Sequence, residues 1–130
     1  MRHRKAMEWE RKLKCVFDEI DVELEHQFGE RFTLHPARAE HGRTASREMD
    51  GLFNVGAAYS AGFGSHFGPG YVVDIRLATL QKVPKPLQQE LRDCVQAMLL
   101  EKLPAAFFGK ALTVSQERHH LRIHGDLSLD

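Results

Sequence analysis

Asp74 and Arg76 stand two residues apart in YVVDIRL, and His120, Arg122 and His124 recur at two-residue steps in HLRIHG. Alternate side chains of a strand share a face, so each set lies on one side of its own strand. A carboxylate beside an imidazole suits general acid–base work, and a guanidinium is a planar clamp for a carboxylate or phosphate. If the two strands adjoin, Asp74 with His120 or His124 makes an acid–base couple, Arg76 or the arginines of the long loop make an anion clamp, and Arg122 is a further ligand-binding candidate. Asn54 and Ser60 belong to the same surface, because in FNVGAAYSAG the set Asn54, Gly56, Ala58, Ser60 alternates with Phe53, Val55, Ala57, Tyr59. A metal is not expected there: His120 and His124 are roughly 13 Å apart by strand rise, with a cationic arginine between them.

A second set of cations lies in HPARAEHGRTASREMDG, where His35, Arg38, His41, Arg43 and Arg47 recur without period. Arg38 and Arg43 are candidate anion ligands. The interleaved Glu40, Glu48 and Asp50 keep the segment's net charge small, which also suits a solvated loop.

The glycine-rich GFGSHFG approaches two ligand-binding signatures. A dinucleotide cradle needs Gly-x-Gly-x-x-Gly at a strand-to-helix turn; here the spacing is two and then four, and strand-like YVVDIRL follows. Gly62-Phe63-Gly64 matches the centre of an RNA-binding strand signature, but Ala61 and Ser65 replace its basic and aromatic neighbours. Phe63 and Phe67 would be the stacking groups of a single-stranded nucleic-acid site. A hairpin turn in which glycine supplies positive φ is the commoner use of such a stretch. No GxSxG, P-loop, HExxH or CxxC pattern occurs, and no cofactor is expected.

The elements that position these groups are legible from periodicity. Leu13, Val16, Phe17, Ile20, Leu24 and Phe28 recur at three- and four-residue steps, predicting a helix over 5–28 that stops at Gly29. Its charges run basic first and acidic later (Asp18, Glu19, Asp21, Glu23, Glu25), a solvated face or a self-complementary dimer surface. RFTL (31–34) reads as a short strand. Two longer strands then flank FGSHFGPG as a hairpin, with Phe53, Val55, Tyr59, Val73, Ile75 and Leu77 turned to the core. A second helix opens at VPKP, carries the stripe Leu87, Leu91, Cys94, Val95, Met98 and Leu99, and ends at Pro104, with room for a short extra turn through PAAFFG. ALTVS and HHLRIHG close the chain as a hairpin turning at Gln116 and Glu117, with Leu121 and Ile123 inward.

The order α-β-β-β-α-β-β predicts an α+β two-layer sandwich: two amphipathic helices on one face of a mainly antiparallel four- or five-stranded sheet, a permuted ferredoxin-like chain. The sheet's other face then carries Asn54, Gly56, Ala58, Ser60, Asp74, Arg76, His120, Arg122 and His124. Residues 1–130 read as one domain, with 42% apolar and 28% charged residues. Basic and acidic residues are balanced at 18 each, so no global field draws nucleic acid or an anionic membrane. No apolar run reaches the ~20 residues of a membrane helix, and the basic N-terminus lacks the apolar core of a secretory signal. Cys15 and Cys94 read as buried small hydrophobes of a cytoplasmic protein. The expectation is a small homodimeric binding or regulatory module using the open sheet face and the glycine-rich hairpin. The alternative is an enzyme acting on an anionic metabolite.

Overall fold

The computed structural model describes residues 4–32 and 52–127. Helix α1 (Arg4–Phe28) ends in a single 3-10 turn, Gly29–Arg31. Strands β1 (Phe53–Ser60) and β2 (Gly70–Leu77) precede helix α2 (Lys85–Ala106), and β3 (Leu112–Glu117) and β4 (His120–Gly125) close the chain. The four strands form one antiparallel sheet in the order β1-β2-β4-β3, which with two helices makes an α+β two-layer arrangement. Arg31 belongs to the 3-10 turn, so the short strand read from RFTL does not begin there, and its last two residues lie outside the described residues.

The α1 stripe is fully internal: Leu13, Val16, Phe17, Ile20, Leu24 and Phe28 are all buried. They meet Phe53, Val55, Val73, Leu121 and Ile123 from the sheet and Leu91, Val95, Met98 and Leu99 from α2 in one core. Trp9, a turn ahead of that stripe, is buried as well, its ring 4.3 Å from Phe107 and 6.3 Å from Tyr71. Helix α2 has Pro84 as N-cap and Pro86 in its first turn, where a missing N–H costs nothing. It continues through Pro104 and ends two residues later at Ala106, within PAAFFG, where the sequence also allows a short extra turn. The last hairpin turns at Arg118 and His119, later than predicted, because Glu117 still pairs with His120.

Both helices also reach the free edges of the sheet. Asp21 on α1 accepts the Val55 N–H at 2.8 Å and Glu25 accepts the Leu52 N–H at 2.6 Å, while Gln96 on α2 donates its amide to the Val114 carbonyl at 2.8 Å. Asp21, which the charge pattern placed on a solvated face, is therefore buried. Cys15 is exposed and Cys94 half-buried, against the expectation of two buried thiols. Among the described residues, no helix is long and apolar enough to cross a membrane.

Candidate functional site

The register brings Asp74 toward one histidine and away from the other. β2 pairs with β4 through Tyr71–Ile123, Val72–Arg122 and Val73–Leu121, so the next step sets Asp74 toward His120, while His124 lies beyond the opposite end of that pairing. Where the ladder stops, β2, β4 and the first turns of α2 leave a cavity of about 260 Å³. Asp74 and His120 both line it, together with Arg92, a cation the sequence reading did not single out. No hydrogen bond joins Asp74 to His120; the His120 Nε2 is instead 3.4 Å from Glu117 Oε1. Arg92 sits one residue past the α2 stripe position Leu91, a spacing that could have marked it as bordering the core.

Arg122 is not on an open face. It is buried, donates its Nε–H to Glu117 Oε1, and gives an Nη1–H to the Gly68 carbonyl at 3.2 Å. Ser65 donates its hydroxyl to the second Glu117 oxygen at 2.6 Å. The Phe67 ring stacks on His124 with centroids 4.8 Å apart, and the His124 Nε2 is 2.7 Å from Ser115 Oγ. The glycine-rich turn thus folds back over the β3–β4 half of the outer face, and its own side chains occupy Arg122 and His124. Gly62 makes the fold-back possible: its φ is +91°, and a Cβ there would stand 2.3 Å from the Gly68 carbonyl carbon. Glu117 is held near pKa 2, below the ordinary 4.5, first by the Ser65 hydroxyl and then by Arg122.

The β1–β2 half of the outer face remains uncovered. Asn54, Gly56, Ala58, Val72, Asp74 and Arg76 line a shallow hollow of about 280 Å³, with Asp74 and Arg76 exposed. Ser60 is half-buried and its Oγ accepts the Gly62 N–H at 3.2 Å, so it serves the turn. Arg38 and Arg43 lie outside the described residues. Phe63 is 96% exposed at the tip of the turn.

The inner side of β1 is open too. Tyr59, expected in the core, is 62% exposed, and Gly56, Ala57, Ala58 and Tyr59 form a run of four exposed residues on an edge strand. Helix α1 diverges from the strand there, leaving a groove of about 370 Å³ whose α1 wall includes Glu10, Lys14 and Asp18. In an antiparallel ladder backbone groups point alternately to the partner and away. The Leu52 carbonyl accepts from Ala78 on the β2 side and the Val55 N–H faces α1, so the N–H groups of Ala57 and Tyr59 face the free edge.

A family model described as "Uncharacterised protein" matches residues 4–125. A protein of Borreliella burgdorferi described as "Uncharacterized protein" is 31% identical over 121 residues, covering 93% of this chain and 94% of its own. No solved structure matches.

Proposed function

We propose that this chain, which belongs to the family whose model spans residues 4–125, is a small homodimeric binding module in which two copies join along β1. The observation that carries this reading is the open run Gly56–Tyr59, uncovered on both faces of an edge strand whose outward N–H groups have room for a partner. A second copy fits better than an unrelated strand because the groove wall is self-complementary. Lys14 and Asp18 lie one helical turn apart, 3.7 Å from each other. A two-fold axis that sets β1 antiparallel to its copy also sets α1 antiparallel to its copy, bringing Lys14 of each against Asp18 of the other. The joined sheet would have eight strands and one continuous outer face, with the Asn54–Arg76 hollow repeated on either side of the axis. The sheet order β1-β2-β4-β3 supports reading this fold as a permuted β-α-β-β-α-β chain.

A Cβ at Gly56 meets nothing within 4 Å, so Gly56→Lys leaves the monomer intact while placing a charge on the pairing edge. Ala57→Pro removes an outward N–H without touching the β1–β2 ladder. Light scattering over a concentration series should show a dimer for the native chain and a monomer for both variants. A native chain that stays monomeric throughout, or variants that dimerise unchanged, would end this reading.

One observation favours a second reading, an acid–base enzyme on a small anionic metabolite: Asp74 and His120 line one cavity. The Asp74→Asn and His120→Gln variants would each abolish turnover in a metabolite screen, whereas a binding module shows none to abolish.

A further inference from the structure

We infer that the cavity between β2, β4 and the start of α2 binds a small monocarboxylate with an apolar tail. Among the described residues, the buried Arg92 Nε has no hydrogen-bond partner, and Arg92 lines this cavity beside His120, whose Nε2 is turned to Glu117 Oε1 at 3.4 Å. A buried N–H left without an acceptor is costly, so the Arg92 Nε–H bordering this hollow calls for an oxygen ligand. The neighbouring donors are already committed. Arg92 gives an Nη2–H to Gln89 Oε1 at 3.0 Å, and the Gln88 amide gives its N–H to the Val83 carbonyl at 2.9 Å.

Apart from His119, the remaining wall is apolar: Val73, Ile75, Leu77, Val83, Leu91 and Leu121. A carboxylate on Arg92 therefore leaves its aliphatic tail against a branched-chain wall. At about 260 Å³ the space suits a metabolite-sized molecule. Asp74, exposed and without a hydrogen-bond or salt-bridge partner among the described residues, sets the charge limit. Its carboxylate disfavours a second anionic group, so a monocarboxylate is preferred over a dicarboxylate or phosphate. No residue of β1 lines the cavity, so this inference stands or falls apart from the dimer.

The test is amide NMR titration of the full chain with hexanoate, hexan-1-ol, succinate and inorganic phosphate. Hexanoate should shift the amides of Leu91, Arg92 and Leu121, with the alcohol, succinate and phosphate at least about tenfold weaker, the loss expected for a missing charge-assisted hydrogen bond. Arg92→Gln should weaken hexanoate about tenfold, and Arg92→Lys, which keeps charge but loses the fork, should fall between. Arg11→Gln, on the far helix, is the charge control and should change nothing. Three results would overturn the inference. They are no localised shift up to about 10 mM, the weak end for a small fragment; hexan-1-ol binding as well as hexanoate; or an Arg92→Gln protein, folded by its amide spectrum, that binds as tightly as the native chain. The first of these would mean that water alone satisfies the Arg92 nitrogen.

Discussion

Ser65 donates its hydroxyl to Glu117 Oε2 at 2.6 Å, linking the glycine-rich turn to the end of β3 across 52 positions of sequence. The other oxygen of the same carboxylate takes the Arg122 Nε–H. One side chain therefore fastens the turn to the sheet and neutralises the buried guanidinium beneath it. Its effect on stability is pH-dependent by linkage.

The folded-state pKa of Glu117, about 2, is below its ordinary 4.5. A depressed carboxylate contributes stability that is complete above the unfolded value and disappears as pH falls toward the folded one. Urea midpoints should therefore carry a falling component between about pH 4.5 and 2 that Glu117→Gln lacks. Parallel acid slopes for the two proteins would contradict this assignment.

Gly62→Ala should detach the turn. The left-handed φ and the 2.3 Å approach to Gly68 leave no room for a methyl group, so the backbone must move. A cost above about 1 kcal/mol is expected. Loss of the Phe67–His124 ring-current shift would show where it falls, whereas a native-like spectrum would show that the turn absorbs the change.

Replacing Asp21 tests the edge contact of α1. Asp21→Ala leaves the buried Val55 N–H without its acceptor and should cost roughly 1–3 kcal/mol. Asp18→Ala, three residues earlier on the half-exposed surface, removes one i,i+4 ion pair and should cost within about 0.5 kcal/mol. Comparable urea midpoints for the two variants would show that the Asp21 contact contributes nothing special.

Leu99 and Tyr59 offer a contrast between core and open strand. Leu99 is fully buried, and Leu99→Ala should cost about 2–5 kcal/mol. Tyr59, 62% exposed and edge-on to Tyr71, should lose under about 1.5 kcal/mol on replacement by Ser at dilute concentration. Thermal melts of the two variants check both figures.

Periodicity carried the fold because apolar spacing is a local property: the α1 stripe and the inward Phe53, Val55, Val73, Leu121 and Ile123 all sit where alternation puts them. Tyr59 broke the pattern because α1 diverges before reaching it, a matter of helix direction that no strand repeat encodes. Asp21 was hidden by its residue type, although its place four residues after Phe17 and three before Leu24 put it on the buried face. Arg122 was misplaced because its partners come from Gly68 and Glu117, on opposite sides of α2 in sequence. Sequence reasoning matched Asp74 to two histidines, and only the β2–β4 register selects His120. Arg92 escaped notice although it follows Leu91 and stands three residues before Val95, because its border position reveals a cavity only once β2 and β4 pack beside it.

Asp21 and Glu25 occupy the Val55 and Leu52 N–H groups at one end of β1, and the strand ends at Ser60. An added strand therefore has a berth of about four residues, roughly 13 Å of ladder. At the other margin Gln96 occupies the Val114 carbonyl of β3. Growth by edge pairing therefore meets an occupied group at each margin of the sheet. Side chains placed on edge groups are a recognised guard against unlimited strand addition.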